Sequence, residues 1–160
     1  MKKQTSHILL QRFFIGKKYL VLVFLICFQL AAKCQDGNLT VITNQNGSPS
    51  ELKFSQLKSI LMGEKQRWPG GTKITIALMK TNTAAGKNTS RKIYDMSGDE
   101  LNKFWLALVF QGKAQAPAFF NSAADLQNFV AKNPGSIGII DQVIPSDEIK
   151  TVIIEGKKSL

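Results

Sequence analysis

The sequence predicts an α/β domain with helices on both faces of a sheet. Short β-branched runs alternate along the chain with amphipathic helical stripes, a serine stands at the start of each of the three longest stripes, and Gly, Pro or Asn marks most junctions. Strands that alternate with helices of this length favour layers, because each apolar helical stripe needs a sheet face to cover it.

Residues 39–44 form the first predicted strand, and residues 45–50, with Asn46-Gly47 and Ser48-Pro49, the loop after it. The stretch 54–71, FSQLKSILMGEKQRWPGG, then carries a helix, a stop and an aromatic corner. Phe54, Leu57, Ile60 and Leu61 share one helical face, Ser55 is the expected N-cap, and Gly63 suits the left-handed position that ends a helix. Trp68-Pro69-Gly70-Gly71 forces a turn, with Trp68 as a core plug. Residues 73–79 alternate Ile74, Ile76 and Leu78 with Thr75 and Ala77, a strand with at least one buried face.

Residues 81–90, TNTAAGKNTS, read as a polar loop leading into a short helix at 91–96. Ser97 and Glu100 then make a capping box for a helix whose stripe Leu101, Phe104, Trp105, Leu108 and Val109 is a core face. Gly112 ends that helix, and residues 111–120, with Pro117, are a connecting arm. Ser122 caps a helix running to Lys132, with Asp125 at the box position and Leu126, Phe129 and Val130 inward, and Asn133-Pro134-Gly135 stops it. Residues 136–141 and 149–154 are the last strands, joined by a turn at 145–148, and residues 155–160 are expected to be a loose tail. Trp68 and Trp105 are both expected in the core, on either side of the sheet or at its edge.

The start of the chain has a different character. Residues 1–18 carry Lys2, Lys3, Arg12, Lys17 and Lys18 with no acid, and residues 19–32 are almost wholly apolar. This pattern is that of a secretory signal peptide over residues 1–34, cleaved after Cys34 to leave Gln35 first; a membrane span needs about 20 apolar residues, more than this run holds. The domain is then periplasmic or secreted. A lipid anchor on Cys34 is the alternative, opposed by Lys33 directly before it, and is the one route to membrane association.

Removing the leader changes the charge. It holds six of the 21 Lys and Arg and none of the 11 acids, so the net +10 of the whole chain falls to 15 basic against 11 acidic residues, or +4. A nucleic-acid partner is therefore not expected, and aromatic and basic interleaving of a stacking platform is missing. Cys27, Cys34 and the sole histidine, His7, all lie in the leader. The remaining domain has no Cys or His ligand for a metal and no Cys-His or histidine triad chemistry, and Asp99-Glu100 and Asp147-Glu148 sit where helix-start acids belong. No enzyme activity, metal or cofactor is expected.

Three blocks in order resemble a known family. Leu57-x-x-Ile60-Leu61-Met62-Gly63-x-x-x-x-Trp68 is similar to L-x-x-I-F-x-G-x-x-x-x-W. Phe104-Trp105 followed by Phe110-Gln111-Gly112-Lys113 and Pro117 is similar to "yW…FsGkg…P", and Asn133-Pro134-Gly135-Ser136-Ile137-Gly138-Ile139 to "npGaIGY". The family is the phosphate-binding component of bacterial ABC importers, within the type II periplasmic solute-binding proteins. The resemblance covers about residues 39–154 and implies a three-layer α/β/α lobe of the type II periplasmic binding protein-like fold over residues 35–154, with a mixed sheet of about four to five strands. Members have two lobes that close over the ligand, whereas this chain has residues for about one, resembling the second.

The resemblance also points to a site. The family's loop supplies an arginine and a Ser-Gly-Thr run; here there is no Ser-Gly-Thr, and Lys80 stands about where the arginine would be, a point charge instead of a bidentate fork. Arg91 with Tyr94 fits the R-x-x-F of shorter members. Lys80, Thr81, Asn82, Thr83, Asn88, Thr89, Ser90 and Arg91 are the candidate anion-binding residues, since hydroxyls, a helix N-terminus and a cation together favour negative charge; an ordinary polar loop with a helix cap is the other reading. The expected function is a secreted solute-binding-like protein recognising phosphate or a related oxyanion for uptake or sensing, with an ABC importer or other envelope proteins as partners. The alternative is an envelope interaction module that has lost the ligand.

Overall fold

A computed structural model describes residues 37–160; the leader read at residues 1–34 lies outside the described residues. In chain order the elements are β1 (Thr40–Asn44), β2 (Glu51–Leu52), α1 (Phe54–Leu61), β3 (Thr75–Met79), α2 (Ala84–Lys92), α3 (Gly98–Phe110), β4 (Ala118–Phe120), α4 (Ala123–Lys132), β5 (Ser136–Ile140), β6 (Ile149–Thr151) and β7 (Ile153–Ile154). One mixed five-stranded sheet has the order β4-β3-β5-β1-β6, and β2 and β7 form a separate parallel pair. β3 pairs parallel with both β4 and β5, whereas β1 pairs antiparallel with β5 and β6.

The pleat sends successive side chains to opposite faces, and both faces are covered. Val41, Ile76, Leu78, Ile137 and Ile139 join the core built with Leu57, Ile60 and Leu61 of α1 and Leu101 and Trp105 of α3. Ile42, Ala77, Met79 and Ile140 join a second core with Leu126 and Val130 of α4. The result is the expected three-layer α/β/α lobe. β3 is buried from Ile76 through Met79, so both of its faces are covered.

The caps are written in the sequence. Ser97 and Glu100 form the expected box, with the Ser97 N–H donating to Glu100 Oε2 at 2.8 Å, and Ser122 Oγ accepts the Asp125 N–H at 3.1 Å. α1 differs: Ser55 lies inside the first turn, while Gln56 Oε1 accepts the Lys53 N–H at 2.9 Å. Gly63 ends α1 with φ +76. Trp68 is buried and its indole N–H donates to the Gly135 carbonyl at 2.9 Å, fixing the corner after α1 to the entrance of β5. Trp68 and Trp105 share one core, so they lie on the same side of the sheet.

Four further elements depart from the expectation. Residues 118–120 form an edge strand beside β3, too short for its own alternation to reveal it. The run 149–154 divides at Val152, whose N–H donates to Val41; the next residue, Ile153, donates to Ser50, so the chain leaves β1 for the segment before β2. The tail 155–160 is tied down, because Leu160 and Leu39 exchange backbone hydrogen bonds and Glu155 accepts the Phe54 N–H at the start of α1. The helix expected at 91–96 is α2, which ends at Lys92.

Two buried polar atoms in the larger core lack a hydrogen-bond partner among the described residues: the Tyr94 hydroxyl and the Trp105 indole N–H. The two groups are neighbours outside hydrogen-bond geometry; burial pushes the Tyr94 phenol up, and the nearby N–H offsets part of that push. Unfolding frees the phenol to ionise near its ordinary value of about 10 while the folded phenol keeps its proton. Above that pH the unfolded state holds fewer protons than the folded one, so stability contributed by Tyr94 is present below about pH 10 and lost as pH rises. Tyr94→Phe should leave the urea midpoint unchanged or raised at neutral pH and should flatten its alkaline decline. A loss above about 1 kcal/mol at neutral pH would mean the hydroxyl has a partner after all.

Candidate functional site

The end of β3 opens into a short turn, residues 80–83, on which two helices begin. The Lys80 N–H donates to the Phe120 carbonyl at 2.8 Å, tying the turn to β4, and the Lys80 carbonyl accepts the N–H and hydroxyl of Thr83 at 2.9 and 2.8 Å. Thr83 is also the N-cap of α2, accepting the Gly86 N–H at 3.0 Å. Gly86 packs so tightly here that a Cβ would overlap the Lys80 carbonyl oxygen and stand 2.8 Å from that of Met79. Gly98, the first residue of α3, leaves similar room for Thr81: a Cβ there would be 2.8 Å from the Thr81 Cβ. Asn102 of α3 adds a hydrogen bond to Thr81 Oγ1 at 3.2 Å.

Both helix N-termini thus converge on one turn, and beside it lies a concavity lined by Thr81, Asn82, Lys87, Ser90, Arg91, Ser97, Gly98 and Asp99. Lys87 and Arg91 are one helical turn apart on α2 and both are exposed. Free N–H groups and the dipole make a helix N-terminus favourable to negative charge. The start of α3 already holds acids of its own: Asp99 lines the concavity, and Glu100 accepts the Ser97 N–H. That backbone bond, the Ser97 side chain and the nearby Lys103 hold the Glu100 carboxyl below its usual range. The concavity can therefore attract an anion through two cations and hydroxyls, against one carboxylate at its rim.

The structure brings Thr81, Asn82, Ser90 and Arg91 together in this concavity. The other sequence-predicted residues lie elsewhere. Lys80 is exposed and does not line the concavity, Thr83 is engaged as the cap of α2, and Asn88 is half-buried within α2, close to Gly37. Thr89 is fully buried and donates its hydroxyl to the Ala85 carbonyl at 2.9 Å. Ser90, at the edge of the concavity, is itself buried, and its hydroxyl donates to the Lys87 carbonyl at 3.0 Å. Lys87 was missed, because a loop reading of 81–90 hides the helical spacing that sets it beside Arg91; Thr83 followed by two alanines is the signal for the earlier helix start. Among the described residues there is no group of three His, Cys, Asp or Glu that could hold a metal ion. Among them, too, no helix is long and apolar enough to cross a membrane.

No protein-family model matches the chain, and no curated protein does. Solved structures do. An ABC-type phosphate transport receptor from Vibrio cholerae superposes with TM-score 0.60 at 16% identity, covering 77% of this chain and 48% of that one. PstS from Borrelia burgdorferi gives TM-score 0.55 at 16% identity, with 74% and 47% covered. A phosphate ABC transporter substrate-binding protein with bound phosphate, from Clostridium perfringens, gives TM-score 0.54 at 16% identity, with 74% and 45% covered. The chain has their fold. It is a single α/β lobe of the type II periplasmic binding protein-like kind, and it spans about half the length of these structures.

Proposed function

We propose that this chain is an exported solute-binding-like domain that takes a small oxyanion, phosphate first, in the concavity between α2 and α3. The observation that carries the reading is the pairing of Lys87 with Arg91, one turn apart, beside the Thr81 hydroxyl and the first turn of α3. Structures sharing the fold, a phosphate transport receptor and a substrate-binding protein with bound phosphate, support the same ligand class. They also support uptake or sensing with an ABC importer as partner, while export rests on the basic and apolar leader. A single lobe offers one wall of a cleft, and pockets bury most of a ligand's surface, so binding by this lobe alone should be weak. An interaction module is the second reading, favoured by the exposed apolar residues Leu106, Val109 and Phe110 on α3.

Phosphate should raise the melting temperature saturably, since a ligand of the native state stabilises it by RT ln(1 + [L]/Kd), about 2.7 kcal/mol at one hundred times Kd. Chloride at matched ionic strength screens charge without offering a tetrahedral acceptor set, so it should not reproduce the shift. Lys87→Ala with Arg91→Ala should abolish the phosphate shift, and Lys80→Ala, outside the concavity, should leave it in place. Equal shifts for phosphate and chloride would remove the binding reading and leave the interaction module.

A further inference from the structure

The concavity between α2 and α3 carries charge of both signs. Lys87 and Arg91 line it from α2, Asp99 lines it from α3, and all three are exposed. The Asp99 carboxylate is more than the start of α3 requires. Ser97 and Glu100 already close that terminus on each other, with Ser97 Oγ accepting the Glu100 N–H at 3.3 Å and Glu100 Oε2 accepting the Ser97 N–H at 2.8 Å. Asp99 takes no part in that box and lines the concavity instead. Toward a bare oxyanion this carboxylate is unfavourable, since like charges at close range repel. The space is also larger than such an ion needs. The concavity has a volume of about 320 Å³, about 7 Å on an edge if drawn as a cube, whereas a water takes about 30 Å³ and a tetrahedral oxyanion a small multiple of that. A phosphoryl group seated at Lys87 and Arg91 would leave the side toward Asp99 to water.

We infer that the ligand is a phosphate ester that also carries an ammonium, its phosphoryl group held by Lys87 and Arg91 and its ammonium by Asp99. This rests on the oxyanion reading of the same concavity and narrows it to a zwitterion. Arg91 offers a planar fork to two phosphoryl oxygens, and Lys87 adds a point charge one helical turn away. Asp99 accepts from the ammonium in a charge-assisted hydrogen bond. At ordinary bond lengths a two-carbon spacer sets the nitrogen about 5 Å from the phosphorus, a span the concavity accommodates. The third charge also makes the site selective. An oxyanion without an ammonium meets two attractive side chains and one that repels it, whereas the zwitterion is attracted by all three. A soluble aminoalkyl phosphate and the head group of an aminophospholipid share this chemistry.

The test is isothermal titration calorimetry of the full chain, in the form cells accumulate, with 2-aminoethyl phosphate, ethyl phosphate and inorganic phosphate at matched ionic strength. The expected result is that 2-aminoethyl phosphate binds about tenfold tighter than ethyl phosphate, the difference one added charge pair makes. Asp99→Asn should weaken 2-aminoethyl phosphate and tighten ethyl phosphate, so that the preference falls below about twofold. Co-sedimentation with phosphatidylethanolamine vesicles separates the two sources. A chain that pellets with them, and less so as Asp99→Asn, assigns the ester to a lipid head group; a chain left in the supernatant while 2-aminoethyl phosphate binds assigns it to a soluble compound. Equal affinity for the two esters, or a preference that survives Asp99→Asn, would overturn the inference and leave the oxyanion reading in place. Failure of all three phosphates to bind would overturn both.

Discussion

Trp105→Ala should destabilise the domain by about 3 to 5 kcal/mol, measured as a shift in the urea midpoint at constant slope. Trp105 is 2% exposed and packs edge-on against Phe104, with ring centroids 5.6 Å apart, and Phe104 in turn meets Tyr94. Its six-membered ring lies against Gly63 and borders a small cavity of about 40 Å³ lined also by Gln66, Ile74, Ile76 and Ala114. The void left by alanine would merge with that cavity. A site that already has unfilled space collapses less well, which places the cost toward the upper end of the range. Trp105→Phe separates packing from polarity: it keeps most of the apolar area and removes the unpartnered indole N–H, so its cost should stay below about 1.5 kcal/mol. Trp68→Phe should cost more than that, because the Trp68 N–H donates to Gly135 and its loss leaves a buried carbonyl without that donor. A near-zero change for Trp105→Ala would mean that the indole does not fill the core as its burial implies.

The parts of the fold that were legible in the sequence are those with their own local chemistry. Ser97 with Glu100 and Ser122 with Asp125 announce helix starts, Gly63 announces a stop, and Leu57, Ile60, Leu61, Leu126 and Val130 are buried as their stripes require, whereas Phe54 and Phe129 are half-buried and Val109, expected on the core face of α3, is exposed. α2 was illegible for a physical reason. Gly86, Asn88, Thr89 and Ser90 have low helix propensity because they lose backbone freedom or compete for backbone hydrogen bonds, yet here Thr89 and Ser90 bond back to the carbonyls of Ala85 and Lys87, and Ala85 and Gly86 are buried. Tertiary packing overrides propensity at that point. The candidate site follows the same logic: residue type alone singles out Arg91 and Thr81, whereas Lys87 joins Arg91 beside the concavity only once the segment has a helical period. β4 and the split at Val152 depend on which neighbour each segment meets, information that no local run contains.

Gly86→Ala tests that packing with a reversal of sign. In an ordinary helix interior the change gains about 1 kcal/mol, because alanine loses less backbone entropy. At position 86 the added Cβ would overlap the Lys80 carbonyl oxygen and come within 2.8 Å of the Met79 carbonyl. Neither can step aside. β3 is paired on both sides through Ala77, and the Lys80 N–H is held by Phe120. α2 must therefore move away from the sheet, which lengthens the Thr83 bonds to Gly86 and Lys80 that start the helix. The expected result is a loss of about 3 kcal/mol, the upper part of the usual overpacking range, because the obstacle is backbone and not a flexible side chain. The displacement should also carry Lys87 and Arg91 away from the first turn of α3, so that under conditions where the variant remains folded the phosphate-dependent rise in melting temperature is lost. Circular dichroism melts with and without phosphate check both halves in one series. A variant as stable as the parent or more so would mean that α2 does not press on the end of β3, and the concavity would then have to be redrawn without it.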